Sequence, residues 1–481
     1  MLRNLAHASG AGESARQVCR DRRSFVAGSA LLAAMAGGLL LSNLHAQELS
    51  RLELLTQIDA VVAQAMADGP IAGVSIGVRQ GGETIVAKGY GFADLENDVK
   101  ATEHTVYRIG SITKQFTATA VMLLVEDGEL SLDDELTTFL PDYPANDNTV
   151  TVRHLLNHTS GIKSYTGLGP TWREKMTLAL SHEELIALFA DEPFDFPPGE
   201  QYRYNNSGYY LLGVIIEKVT DQSYAEVLRE RVWDPLAMLE SHYLYNAPIV
   251  KHRAAGYKVE AGALLNDDPL SMLLPFSAGA LGSSVHDLLT WLQAFHGGRV
   301  VSDDSYRQMT TPGTLNNGEA LGYGFGVAVD DFEDHPVISH GGGINGFTTY
   351  VSYYPDDDIA IVVLCNTPTN TERIARRIAR LMLGMPETAV QDLALDAAAM
   401  DVYVGEYQLG PLVLRVYLDD RQLMSQATGQ PAVRLRAQGD HVFVPTFDDD
   451  VRLIFDVADD RAARVILQQG GGEIQGARIG Q

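Results

Sequence analysis

Cysteine is nearly absent: Cys19 and Cys365 are the only two in 481 residues. Cys19 lies in a leader-like segment, so no pair is left for a mature chain and a disulfide framework is excluded. Cys365, in Val362-Val363-Leu364-Cys365, reads as a small core residue of a buried strand. Positive charge is scarce as well, with 36 Lys and Arg against 62 Asp and Glu and a net charge of −26. The five arginines before residue 47 face only Glu13 and Asp21, so the remainder is more acidic still. This balance argues against nucleic acid or anionic membrane as the main partner and fits a solvated acidic surface. What the chain does have is an ordinary globular composition, 46% hydrophobic and 8% aromatic, and enough length for one large domain and a smaller one.

Apolar residues run together at 25–41, after Arg22-Arg23 and before Ala46. Paired arginines, an Ala/Leu/Gly-rich stretch and a small residue at the cut give residues 1–46 the look of a twin-arginine signal peptide. The expectation is export to the periplasm or beyond, with no stable membrane anchor once the leader is cleaved. An uncleaved anchor is the alternative, since about 17 apolar residues approach the minimum for a bilayer span.

Residues 52–66 carry a helical period, and 71–78 and 84–92 read as strands joined at Gly81-Gly82. Helices and loops dominate from 113 to about 295. A second hairpin, 347–354 and 359–366 around Pro355-Asp356-Asp357-Asp358, precedes a helix at 371–383. Hairpins from both ends of this region imply one sheet closed by both termini, an α/β (α+β) sandwich of antiparallel sheet and helices over 47–385. A linker at 386–399 leads to short alternating strands at 412–418, 433–436, 441–444, 451–457 and 464–467. Residues 400–481 therefore read as a small antiparallel β-barrel-like domain.

Three stretches carry chemistry. Ser111-Ile112-Thr113-Lys114 puts a hydroxyl and an amine three positions apart where an apolar helical pattern begins, on one helix face. A lysine whose charge is disfavoured by burial can take the proton of a serine nucleophile. The other copy, Ser160-Gly161-Ile162-Lys163, contains glycine and runs into a loop, so nothing holds its lysine to its serine. Tyr204 and Asn206 sit at i and i+2 before a helix, within reach of one cleft. A lysine ammonium beside Tyr204 would bias the phenol toward its anion and make it a general base; a structural tyrosine patch is the alternative. Ser339-His340-Gly341-Gly342-Gly343, just before the 347–354 strand, reads as glycines at a strand edge that let a substrate approach the backbone and leave amides for an oxyanion; a flexible glycine turn is the alternative. A lipase loop can also read His-Gly-Gly-Gly, but it must precede a Gly-x-Ser-x-Gly elbow, and the chain is read as holding none anywhere, which sets the α/β-hydrolase fold aside. His154 and His158 have a metal-like i, i+4 spacing without the glutamate of His-Glu-x-x-His, so no metal and no cofactor are expected.

In this order and spacing the three motifs resemble the serine β-lactamase and penicillin-binding protein group. The Tyr-x-Asn middle motif is similar to the class C β-lactamase, DD-peptidase, D-aminopeptidase and esterase branch. Leu155-Leu156-Asn157-His158-Thr159-Ser160-Gly161, Gly279-Ala280-Leu281-Gly282-Ser283-Ser284 and Gly322-Tyr323-Gly324-Phe325-Gly326 extend the likeness over roughly 50–385. The resemblance implies a β-lactamase/transpeptidase-like fold. It makes Ser111 the acylated nucleophile, Lys114 its activator and Tyr204 the proton carrier. It makes Asn206, His340, Gly341 and Gly342 substrate contacts, and the backbone N–H groups of Ser111 and Gly343 the oxyanion hole.

His340-Gly341-Gly342 departs from the family's Lys-Thr-Gly. The missing cation and hydroxyl disfavour β-lactam hydrolysis, and a histidine implies pH dependence between about 5 and 8. The resulting expectation is an exported serine hydrolase forming an acyl-enzyme with a D-amino-acid peptide, amide or small ester as its partner. The alternatives are a class C-like β-lactamase and a non-turnover sensor that binds penicillin or cell-wall peptides.

Overall fold

A computed structural model describes residues 51–385, 390, 392–410, 412–430, 432–447, 451–458, 461–469 and 472–479. The leader, 1–46, lies outside the described residues, as does part of the 386–399 linker. Residues 51–68 are helical. Strands β1 (Gly73–Gln80) and β2 (Glu83–Asp94) form the expected hairpin, and β3 (Val99–Lys100) continues it.

Short strands interrupt the helical middle of the chain. β4 (Tyr107–Arg108), β5 (His242–Tyr243) and β8 (Leu281–Ser283) form a three-stranded sheet, while β6 (Tyr257–Glu260) and β7 (Ala263–Asn266) pair as a hairpin. The C-terminal part of the main sheet comprises β9 (Ala328–Phe332), β10 (His335–Ile344), β11 (Phe347–Tyr354) and β12 (Ile359–Cys365). The seven-stranded order is β3-β2-β1-β12-β11-β10-β9, so β1 from one end of the domain pairs antiparallel with β12 from the other.

Every residue of β12 is buried, which is why its sequence is continuously apolar and does not alternate. Helices Val285–His296 and Thr371–Met382 both pack on it. Cys365 is a free, buried thiol at the end of this strand. Helix Thr113–Glu126 is buried along nearly its whole length, including Thr113, Lys114, Gln115, Thr117 and Thr119. Such a helix lies inside the core, and its polar side chains need internal partners. The fold is therefore the expected sandwich of antiparallel sheet and helices.

Beyond residue 400, eight antiparallel strands close into a barrel between residues 405 and 479. Tyr403, Tyr407, Phe443 and Phe455 belong to its core, and closure removes the exposed strand edges. The five strands expected from the sequence are present, three of them longer and two, Val442–Pro445 and Arg452–Ala458, shifted by one residue. Gly405–Leu409, Gln422–Ala427 and Gly472–Ile479, rich in Gln, Glu and Gly, complete the barrel without an alternating signal. The linker ends in a short helix, Ala397–Asp401, that the sequence reading did not contain. Among the described residues no helix is long and apolar enough to cross a membrane.

The glycine run is strand and not the alternative flexible turn. His340, Gly341, Gly342 and Gly343 lie inside β10, paired with Val351, Tyr350, Thr349 and Thr348 of β11. Close approach requires the glycine at 342. A Cβ there would lie 2.1 Å from the Ile109 carbonyl oxygen and 2.2 Å from Thr349 Oγ1, whereas one at Gly343 would meet no atom within 4 Å. Gly342→Ala should therefore lower unfolding stability by about 1–3 kcal/mol, while Gly343→Ala changes it little. Urea midpoints of the two variants test this; equal midpoints would contradict the packing.

Candidate active site

Ser111 stands in a single 3₁₀ turn, Gly110–Ile112, that feeds directly into helix Thr113–Glu126. Gly110 takes φ +53°, and a Cβ on it would lie 2.9 Å from the Gly343 nitrogen. Glycine thus lets the nucleophile turn lie back to back with β10. One helical turn on, Lys114 is fully buried, with its Nζ 3.0 Å from Ser111 Oγ, 2.9 Å from Asn206 Oδ1 and 2.8 Å from the Ala278 carbonyl oxygen.

Burial holds the Lys114 amine well below the ordinary lysine range. A neutral amine has two N–H donors and one lone pair. The Ala278 carbonyl can only accept. The Asn206 amide is oriented by its Nδ2 donating to Thr166 Oγ1 at 3.1 Å, so Asn206 Oδ1 also accepts. A neutral Lys114 amine would spend both N–H bonds on these acceptors and turn its lone pair to the Ser111 hydroxyl. This is the arrangement a general base needs.

Asn206 opens helix Asn206–Thr220, whose N-cap, Asn205, accepts the Gly208 N–H at 2.8 Å. Tyr204 lies just outside the helix. Its hydroxyl hydrogen-bonds Ser111 and its ring centroid is 4.8 Å from Lys114 Nζ. Although the residue is 36% exposed, desolvation of the hydroxyl raises its pKa, and the Ser111 bond only partly offsets this. The expected phenolate bias is therefore reversed: beside a neutral amine, the Tyr204 phenol is kept protonated.

His340 is also corrected. Its Nδ1 is 2.6 Å from the Gly341 carbonyl oxygen, which can only accept, so Nδ1 carries the proton and Nε2 accepts from the Tyr323 hydroxyl at 2.8 Å. With both nitrogens engaged and 6% exposure, the ring offers a substrate nothing in this arrangement. Burial, with a smaller contribution from Lys114, pushes its pKa down to about 3. It stays neutral between about pH 5 and 8, which removes the pH dependence expected of it there. Gly342 is pressed against Ile109 and is likewise a packing residue. Gly341 is exposed, while Gly343 lines a cleft of about 140 Å³ together with Ser111 and Asn206.

Sequence reasoning missed three contributors. Ala278 acts through its backbone, which no side chain announces. Tyr323, in the Gly322–Gly326 stretch, anchors His340. His158 holds a left-handed φ of 63° and packs its ring 4.3 Å from that of Tyr204 and 4.7 Å from that of Tyr323. Its Nδ1 accepts the Asn205 N–H at 3.1 Å, and its buried Nε2 has no partner. His154 Nδ1 accepts the Thr151 N–H in a capping box. Elsewhere, Glu240, His286 and Asp287 bring ligand atoms within 4.8 Å of one another, but Asp287 already accepts from Ser241 and the Glu240 N–H.

The second Ser-x-x-Lys copy is on a loop, as expected, and its Lys163 pairs with Asp195. The reading that the chain holds no Gly-x-Ser-x-Gly is corrected: Gly73-Val74-Ser75-Ile76-Gly77 matches it, but within β1. Its fully buried Ser75 hydroxyl donates to the Thr102 carbonyl oxygen at 2.8 Å and contacts the Tyr107 hydroxyl at 2.9 Å. It is not an exposed strand-to-helix elbow.

A serine facing a desolvated lysine, held on this sandwich, defines a serine hydrolase of the penicillin-recognising type. The chain belongs to the Beta-lactamase family, whose profile matches residues 58–384. Penicillin-binding protein 4* of Bacillus subtilis (strain 168) is 28% identical over 426 residues, 83% of this chain and 93% of that protein. The octameric penicillin-binding protein homologue from Pyrococcus abyssi is similar at a TM-score of 0.64 and 28% identity, over 88% of this chain and 99% of that one. A D-stereospecific amidohydrolase from Streptomyces sp. is similar at a TM-score of 0.60 and 25% identity, over 69% and 99%.

Acid should expose the cost of the buried imidazoles. His340 and His296 are pushed down to about 3 and His158 is also lowered, each chiefly by burial. Between those values and the ordinary value of about 6.5 the unfolded chain binds more protons, so stability falls as pH drops through that window. In His340→Gln the fall should be shallower by about one proton, or about 1.4 kcal/mol per pH unit. Unfolding free energies measured across the window would contradict this if the two slopes were parallel.

Proposed function

We propose that this protein is an exported serine hydrolase that cleaves a peptide, amide or ester, most naturally of a D-amino acid, through a covalent Ser111 acyl-enzyme. The 3.0 Å contact between the buried Lys114 Nζ and Ser111 Oγ carries the reading. Lys114 takes the hydroxyl proton as Oγ bonds to the scissile carbonyl carbon, and the electron pair moves to the carbonyl oxygen. The N–H groups of Ser111 and Gly343, on two elements that meet at Gly110, are the donors for that oxyanion.

As the tetrahedral carbon collapses, the bond to the leaving group breaks and Tyr204 delivers its proton to the departing nitrogen or oxygen. A phenol kept protonated by burial suits that donor role, and the Lys114 ammonium restores the proton. Water then attacks the acyl carbon and gives a proton to the same pair; the bond from the acyl carbon to Ser111 Oγ breaks, Oγ takes that proton back, and the acid leaves. Asn206 has Nδ2 toward Thr166 at the cleft, placed to bind a substrate amide. The D-configuration is supported by the likeness to the Streptomyces D-stereospecific amidohydrolase. Export is supported by the leader. Neutral His340 in place of a cation disfavours β-lactams, so nitrocefin should turn over slowly relative to amides.

Ser111→Ala should abolish both turnover and labelling by a fluorescent fluorophosphonate. Tyr204→Phe should retain labelling but lose about 10²–10⁴ in turnover. Undiminished hydrolysis by Ser111→Ala would overturn the reading, and a stoichiometric burst without steady state in the native enzyme would favour a sensor.

A further inference from the structure

We infer that the Ser111 cleft selects substrates carrying a bulky apolar side chain beside the scissile bond and no free carboxylate there. The preferred substrates are amides or esters of aromatic or branched amino acids, and carboxypeptidase substrates are excluded. This rests on the acyl-enzyme reading and adds the substrate class to it.

The walls of the cleft are Tyr165, Trp172, Met176, Leu270, Pro275 and Ile344. Tyr165 and Leu270 are 1% and 7% exposed, and Trp172 packs on Tyr165 with ring centroids 4.8 Å apart. The two loops that supply most of this wall are tied together, because the Ser271 N–H donates to the Met176 carbonyl at 2.8 Å. The wall is therefore a built surface and not a chance gathering of loop residues. The polar side chains that share it, Ser111, Thr166, Asn206 and Asn345, are uncharged.

Three cations near the cleft have partners within the protein. Lys163 pairs with Asp195, which also holds Arg203 at 2.8 Å. Arg108 donates to the Asn345 carbonyl at 3.4 Å and lies over the Phe347 ring at 5.6 Å, with Arg253 and, more weakly, Asp267 acting on its charge. None of these three lines the cleft. His340 has both nitrogens bonded within the protein. A substrate carboxylate entering here would lose water without gaining a counter-charge, whereas an apolar side chain would exchange water for aromatic surface.

The experiment uses the full-length purified enzyme with three pairs of substrates: D-Phe against D-Ala amide, D-Leu against D-Ala p-nitroanilide, and one dipeptide with its C-terminus amidated or free. Fluorophosphonate labelling of Ser111 is followed in parallel. kcat/KM should favour the larger apolar side chain by about 10-fold or more, and the amidated dipeptide over the free one by roughly 50-fold or more. Trp172→Ala should collapse the Phe/Ala ratio toward one while Ser111 is still labelled. Labelling with equal rates across each pair, or without turnover of the apolar amides, would overturn the inference alone. Absence of labelling would instead overturn the acyl-enzyme reading beneath it.

Discussion

The arrangement depends on one buried nitrogen. Lys114 Nζ has three polar neighbours, two of which can only accept, and it sits where a charge would be stripped of water. Desolvation favours the neutral amine, and the two acceptors then decide which way its lone pair points. Each neighbour comes from a different part of the chain: Ser111 from the turn before the core helix, Asn206 from the start of a second helix, and Ala278 from the segment before β8. The sandwich brings these ends together, and glycine at 110 and 342 lets the serine turn and β10 come close enough to share a cleft. Packing thereby becomes chemistry, because without full burial the amine would be an ordinary solvated cation.

The same burial sets the states of the surrounding aromatics. Tyr204, His158, Tyr323 and His340 form a ring-against-ring group beside the lysine, and desolvation is the largest influence on each of their pKa values. Charge is disfavoured throughout, which leaves a neutral base, a neutral phenol and a neutral imidazole. Histidine in place of the family's lysine fits such a site, since an internally bonded imidazole needs no counter-ion.

Local signals were legible in the sequence. Ser-x-x-Lys works through spacing along one turn of helix, and the chain supplied its own control at Ser160, which the structure leaves on a loop. The 347–354 strand has the same bounds in sequence and structure because its run is clear and its turns are strong. Three features needed tertiary information. The glycines at 341–343 lie within a strand, and only at Gly342 does crowding against Ile109 and Thr349 exclude a side chain. Ala278 contributes a carbonyl that every residue possesses. The sign of the Tyr204 shift depends on whether its lysine neighbour is charged, which burial decides and sequence does not. The barrel strands that escaped notice, at 405–409, 422–427 and 472–479, are polar enough that closure of the barrel, rather than alternation, defines them.

The most direct measurement of the central claim is a ¹⁵N NMR titration of the Lys114 side chain in the intact enzyme, assigned with Lys114→Met. The account expects its amine to titrate well below the ordinary lysine range, already neutral while the surface lysines remain protonated. A Lys114 resonance that titrates together with the surface lysines would show a charged ammonium and contradict the account.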